Sequence, residues 1–272
     1  MGKSLNIVLF GIDAFSDVVL KSLIGSPHHV KLVVCHDYDE NAFKKIKTTC
    51  DNNNIPVIKV SKVNSPEVVS MVADVKPDLC VIAHFERIIR KELLAIPPMG
   101  FINLHPSMLP YYRGLAPQHY PIINGEKEVG ITVHYVDEGT DTGDIIVQRI
   151  FPLGDDVYVA ELHALWLQEY ETIVIEAIDN ILSGKPVISQ KDEKGSFYPK
   201  MKSEPYVLDK EWSVRTAYNW VRAMSMPYDG VKYDNFIIFK AHIQAKNEIP
   251  DDDEPVLEFS DGNLVADWYD EV

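Results

Sequence analysis

Apolar residues recur in two different rhythms along this chain. Four short runs with little alternation, LNIVLFG, VKLVVCH, IPVIKV and DLCVIA, are each followed by a stretch in which polar and charged residues interrupt the apolar ones. Those stretches are DAFSDVVLKSLIG, a charged segment through Ile46, SPEVVSMVADV and RKELLAI. Nearly continuous apolar runs predict strands buried on both faces, and the mixed stretches predict helices laid over them. Their alternation predicts βαβ units around a largely parallel sheet. Ser65-Pro66-Glu67 reads as a helix start with a capping serine and a proline in the first turn, and Ile24-Gly25 as a helix stop.

The texture changes after Gly100. FINLHPS predicts a strand that ends at a proline and enters PSMLPYYRGLAPQ, a loop too long for a simple connector. VGITVHYV and DIIVQRIFPL predict two more strands, joined through DEGTDTG. Val157 to Leu182 predicts one long helix, because Leu162, Leu165, Trp166, Tyr170, Ile173 and Ala177 recur at helical spacing. Ser183-Gly184 and Pro186 end it. Beyond residue 205 the pattern turns to short aromatic and β-branched pieces divided at Asp229-Gly230 and Asp261-Gly262, which predicts a small β-rich subdomain. Asp251 to Glu254 reads as a solvated acidic loop.

A composition of 46% hydrophobic and 25% charged residues is that of a folded globular protein. The apolar run near the start is too short to cross a membrane and lacks a signal-peptide pattern, which implies a cytoplasmic protein. Cys35, Cys50 and Cys80 form no CxxC pair and read as reduced, buried thiols. The net charge of −15 argues against a nucleic-acid backbone as the main ligand. No HExxH or paired Cys/His set is present, so no metal is expected.

Asn103 and His105 stand two residues apart on an expected strand, so their side chains share one face at its C-terminal end, the edge where open α/β sheets carry ligands. Each alone is weak evidence, since a polar strand residue is usually a satisfied structural group. The Asp-rich turn DEGTDTGD offers Asp137, Asp141 and Asp144, which pattern alone does not separate from one another or from local capping.

The stretch FINLHPSMLPYYRGLAPQHYPIINGEKEVGITVHYVDEGTDTGDIIVQ resembles the signature of the 10-formyltetrahydrofolate-dependent formyltransferases. In that family an Asn-x-His-Pro-Ser strand end, a Leu-Pro-x-x-Arg-Gly loop and an Asp-Thr-Gly turn stand at similar spacing. The resemblance spans residues 5 to 185 and is strongest between 100 and 150. It implies an α/β, Rossmann-like formyltransferase fold in residues 1–204, with a largely parallel sheet flanked by helices, followed by the β-rich subdomain in 205–272. It also implies that Asn103, His105 and Asp141 are catalytic and that 10-formyltetrahydrofolate is the formyl donor. The donor's pterin would enter between the loop carrying Phe85, Arg87, Ile88 and Ile89 and the loop carrying Val136, Asp137 and Thr140.

The acceptor is expected to be a nucleotide-linked amino-deoxy sugar, with dTDP as the nucleotide, used in surface glycan (lipopolysaccharide O-antigen) synthesis. EWSVRTAYNWVRAMSMPYDGVKY resembles the element that opens the C-terminal domain of the tRNA and sugar enzymes and that single-domain purine-pathway enzymes lack. The segment from Glu248 onward is acidic without a single Lys or Arg, which speaks against tRNA and any other nucleic-acid partner. Arg113, Lys200 and Arg222 would neutralise the diphosphate and Tyr228 would stack on the base, with His84 and Gln118 completing the substrate set. The alternative is a methionyl-tRNA formyltransferase; from another class comes a non-catalytic folate- or nucleotide-binding protein. A dinucleotide-binding oxidoreductase is disfavoured, because GIDAFSD has one glycine where that fingerprint needs three. No membrane partner is expected, and a homodimer is left open.

Overall fold

The computed structural model describes residues 3–37, 40–191, 193–202, 204–245, 247–251 and 254–272. Tyr38 and Asp39 of the expected charged segment, and Asp252 and Asp253 of the acidic run, lie outside the described residues.

The chain opens with the expected alternation: β1 (Asn6–Phe10), α1 (Ala14–Ile24), β2 (His29–His36), α2 (Glu40–Asn52), β3 (Val57–Val60), α3 (Pro66–Asp74), β4 (Leu79–Ala83), α4 (Lys91–Leu94) and β5 (Phe101–His105). Next come β6 (Arg113–Gly114), α5 (Tyr120–Ile123), β7 (Glu128–Tyr135), β8 (Ile145–Pro152) and α6 (Val159–Leu182). After β9 (Phe197–Tyr198) and β10 (Tyr206–Val207), helix α7 (Val214–Met224) leads into β11 (Val231–Tyr233), β12 (Phe236–Ile243), β13 (Val256–Phe259) and β14 (Gly262–Glu271).

Seven strands form one sheet in the order β3-β2-β1-β4-β5-β7-β8. The pairings among β1 to β5 are parallel, and β7 joins β5 antiparallel with Asn103 opposite His134. The apolar runs become β1 and β4, buried almost throughout, β2, buried from Leu32 to His36, and β3, which at the sheet's edge is only half-buried instead of covered on both faces. Strands β2 and β3 lie on one side of β1, and β4 and β5 on the other, so the strand order reverses between β1 and β4. A crevice opens beyond the carboxyl ends of the strands at such a reversal.

Local chemistry closes this edge. Asp13 caps α1 by accepting from the backbone N–H groups of Phe15 and Ser16. The Ser16 hydroxyl donates across to the Ala83 carbonyl at 2.7 Å. Gly11 makes that reach feasible, because a Cβ there would sit 2.6 Å from the same carbonyl oxygen. Ser65 caps α3 with Pro66 in its first turn, as its sequence predicts. Helix α6 starts two residues after the expected Val157 and buries Trp166, Tyr170, Ile173 and Ala177 on the stripe read from their spacing. Among the described residues no helix is long and apolar enough to cross a membrane.

The chain separates into two compact units, and neither is a single stretch. The first comprises 1–113, 130–149 and 165–196, and the second 114–129, 150–164 and 197–272. The sequence reading placed one boundary at 204/205. In the second unit α7 draws earlier segments to itself: Asn219 donates to the Ile123 carbonyl at 3.3 Å and the Ala223 carbonyl accepts from His119 at 2.8 Å. Its five-stranded sheet runs β10-β11-β12-β14-β13, and Ile238, Leu257 and Leu264 share one buried apolar cluster with Ala217 and Val221 of α7.

Candidate active site

Strand β5 delivers Asn103 and His105 to the crevice, and the turn after β7 brings Asp141 to them. The Asn103 amide donates to Asp141 Oδ1 at 3.3 Å, and His105 Nδ1 lies 3.7 Å from Asp141 Oδ2. The backbone at Asp141 is left-handed, with φ +53°, a conformation that aspartate tolerates better than most side chains.

Hydrogen bonding assigns the protons on both histidines. His105 Nε2 faces the Tyr112 carbonyl at 2.9 Å, and a carbonyl accepts only, so Nε2 carries hydrogen and Nδ1 is the basic nitrogen turned toward Asp141. His134, on β7 opposite Asn103, donates from Nδ1 to the Tyr135 carbonyl at 2.7 Å. Its Nε2 then accepts the second Asn103 N–H at 3.2 Å. Burial pushes the His105 pKa below its ordinary value, with the Asp141 carboxylate and the Tyr112 carbonyl opposing that shift only in part. The His105 imidazole is therefore neutral at neutral pH.

Asp13 and His84 meet on the same edge: an Asp13 carboxylate oxygen contacts His84 Nδ1. Burial disfavours charge on both partners, but their mutual contact outweighs it, lowering the Asp13 pKa and raising that of His84. His84, at the end of β4, thus holds a proton more readily than an ordinary histidine.

The expected donor-binding residues divide by environment. Phe85, Ile89 and Val136 pack on one apolar cluster under the crevice, and Phe85 stacks edge-on against Phe10. Ile88 is 78% exposed and Arg87 is exposed. Asp137 is used locally, accepting from Gly139 N at 3.0 Å and Thr142 Oγ1 at 2.7 Å, with Thr140 exposed beside it. A partly buried aromatic beside apolar side chains, with polar turns in the neighbouring loop, fits a flat heteroaromatic ring.

Of the expected substrate residues, Arg113 belongs to the first unit, where Nη2 donates to Gln190 Oε1 at 2.9 Å. Gln118, Lys200, Arg222 and Tyr228 belong to the second. Tyr228 O–H is shared with Gln118 and His163 at 3.2 and 3.1 Å, and Lys200 is exposed. Arg222 is corrected: its side chain is 2% exposed and its guanidinium serves Val157 O and Asn219 Oδ1, at 2.7 and 2.6 Å. It braces the fold instead of facing a diphosphate. Among the described residues no group of three or more His, Cys, Asp and Glu is placed to hold a metal ion.

Sequence reasoning missed His134, Asp13 and Gln190. A histidine inside the apolar run VGITVHYV was the visible signal for the first. The other two act through partners 71 and 49 residues away, which no local pattern reports.

An amide donor, a neutral imidazole and a carboxylate at a crevice rim are the equipment of acyl-group transfer to a nucleophile. The chain belongs to the formyl transferase family, whose profile matches residues 11–178. It is 31% identical to a methionyl-tRNA formyltransferase of Desulforamulus reducens, covering 96% of this chain and 86% of that protein. It is 35% identical to the methionyl-tRNA formyltransferase of Geobacter sulfurreducens, over 83% of this chain and 73% of that one. Among solved structures it resembles a sugar 3N-formyl transferase crystallised in the presence of dTDP and 5-N-formyl-THF, with TM-score 0.73, 20% identity and coverage of 97% and 98% of the two chains. An N-formyltransferase from Helicobacter canadensis, in complex with folinic acid and dTDP-3-aminofucose, aligns with TM-score 0.72 at 21% identity over 96% and 98%.

These relatives overturn the expected nucleotide-linked amino sugar. The sugar enzymes match at a level that shows the shared fold, whereas methionyl-tRNA formyltransferases match at 31 to 38% identity. The ground for expecting no nucleic-acid partner falls with it. Net charge is a sum over the whole surface, and a phosphate backbone is met by cations where it lies.

Proposed function

We propose that this chain transfers the formyl group of 10-formyltetrahydrofolate to the amine of methionyl-tRNA, with Asn103, His105 and Asp141 as the reacting constellation. The observation that carries the acceptor is the identity of 31 to 38% to methionyl-tRNA formyltransferases. A second supports it: Lys185, Lys191, Lys194, Lys200 and Lys202 are all exposed within one short segment of an otherwise acidic chain. Lys185, Lys191 and Lys194 belong to the first unit and Lys200 and Lys202 to the second, and exposed cations of this kind suit phosphate contact.

When bound, the folate supplies an activated formyl carbonyl. Of the two Asn103 N–H groups, one is held by His134, and the other, resting on Asp141 in the free protein, turns to the formyl oxygen as it gains charge. Donors of this kind contribute about 3 to 4 kcal/mol. His105 Nδ1 takes the proton that the attacking amine must lose, Asp141 stabilises the imidazolium so formed, and that proton is then available to the donor's nitrogen as its bond to the formyl carbon breaks. Phe85, Ile89 and Val136 form the apolar wall for the donor's ring, with Ile88 closing over it and Arg87, Asp137 and Thr140 at its polar rim. Arg113 and the exposed lysines meet the acceptor's phosphates. Orientation of the two substrates supplies much of the remainder, with about 7 to 11 kcal/mol available from this source.

The test is direct. The protein is incubated with 10-formyltetrahydrofolate and either charged initiator tRNA, glycinamide ribonucleotide or a panel of nucleotide-linked amino sugars, and product mass is followed. Formylated methionyl-tRNA is expected. An inert tRNA beside a formylated member of the other sets would refute this acceptor.

A further inference from the structure

Gln190 is 3% exposed, and its carboxamide faces two ways. Oε1 accepts from Arg113 Nη2 at 2.9 Å, while Nε2 donates to the carbonyls of Asp141 and Gly143 at 3.2 and 2.5 Å. The orientation is forced, since a guanidinium only donates and carbonyls only accept. A side chain with a donor end and an acceptor end is what the position requires.

Both things it touches matter to the site. The Asp141 turn adopts a left-handed backbone and runs so close to β7 that a Cβ on Gly143 would lie 1.8 Å from the Tyr135 carbonyl. On the other side, the Arg113 loop carries the Tyr112 carbonyl that sets the His105 tautomer. The segment containing Gln190 fastens that loop again through Ser196, whose hydroxyl accepts from Tyr112 N at 2.9 Å and whose carbonyl accepts from Arg113 N at 2.8 Å. Upstream, Ile188 is anchored by a pair of backbone hydrogen bonds to Ile145. Ile188, Gln190 and Ser196 thus fasten a strap, with Gln190 at the point where it meets both loops.

We propose that Gln190 is a positioning residue for formyl transfer: its carboxamide locks the Asp141 turn to the Arg113 loop and so keeps the Asp141 carboxylate on the Asn103–His105 pair. This rests on the reading that Asp141 belongs to the reacting constellation. Gln190 touches neither substrate and acts through the two loops it joins.

Two variants separate its ends. Gln190→Glu keeps an acceptor for Arg113 and turns a carboxylate oxygen toward two carbonyls; Gln190→Met, of similar length, removes both functions. Each is expected to lower kcat by about tenfold to a hundredfold, the cost of a misplaced catalytic group, while KM for the folate changes by less than about twofold. A readout independent of the acceptor is NMR titration of the His105 ring in the free protein. With Asp141 released, His105 loses its counter-charge and titrates at lower pH in Gln190→Met, while His242 titrates as in the wild type. An unchanged His105 titration with near-wild-type kcat, in variants that differ only in melting temperature, overturns the proposal. Asp141→Asn is measured in parallel. Near-wild-type turnover there would overturn the reading of the site itself, while the His105 titration still decides whether Gln190 holds the turn.

Discussion

The two amide hydrogens of Asn103 have different tasks, one fixed on His134 and one shared with Asp141. Asn103→Ala and His105→Ala are each expected to lower turnover by about a hundredfold or more with the fold intact, as judged by circular dichroism beside steady-state rates. His134→Leu removes one of the two anchors of the Asn103 amide and should cost less than Asn103→Ala while lowering kcat in the same assay. The acidic turn supplies a sharper contrast. Asp141→Asn removes the charge facing His105 and should abolish most activity, whereas Asp144→Asn should be mild; the reverse order would show the wrong aspartate was chosen. Because burial holds the His105 pKa down, its ring should titrate below the ordinary 6.5. The base then stays unprotonated, and the enzyme active, to a lower pH than an exposed histidine allows. NMR of the ring checks this, and titration at or above 6.5 contradicts it.

At the scale of elements, what was legible follows from what each pattern measures. Strands β1, β2 and β4 were visible because a strand covered on both faces must be apolar throughout, and α6 because its stripe repeats over many turns. The pairing of Asn103 with His134 was not legible, since antiparallel register depends on which residues meet across a long connection. For Asp141, the resemblance to a family did what spacing could not. The contiguous C-terminal subdomain read from β-rich composition misses α5, whose partner α7 lies far downstream, as the Asn219–Ile123 bond records with a separation of 96. Within the second sheet, His242 on β12 bridges Asp267 on β14 and Glu248, at 2.7 and 2.6 Å. Both ring nitrogens donate to carboxylates, so the bridge requires the imidazolium, and the Glu248 bond above all raises its pKa above 6.5. A group with a raised folded pKa contributes fully below its unfolded value and loses that contribution as pH rises through the folded one. Urea midpoints of wild type and His242→Asn should therefore differ most at mildly acidic pH and converge at alkaline pH. A constant gap would show that the bridge is not proton-linked.

For the molecule as a whole, a charge of −15 argues against nucleic acid only as a sum over the surface, whereas phosphates are met by cations where they lie. Alanine at Lys191, Lys194, Lys200 and Lys202 together should raise KM for methionyl-tRNA and flatten its dependence on salt by about one unit of log–log slope per lost phosphate contact, with kcat little changed. An unaltered salt slope would place the phosphates elsewhere. The strap has a consequence in time as well as in space. The Asp141 carbonyl finds its partner 49 residues downstream, and Tyr112 finds Ser196 after 84. Synthesis runs from the N-terminus, so Asn103, His105 and Asp141 leave the ribosome well before the groups that fasten them. A chain interrupted ahead of residue 190 carries all three and still lacks the clasp, so translation must pass well beyond the reacting residues before they can be held for work.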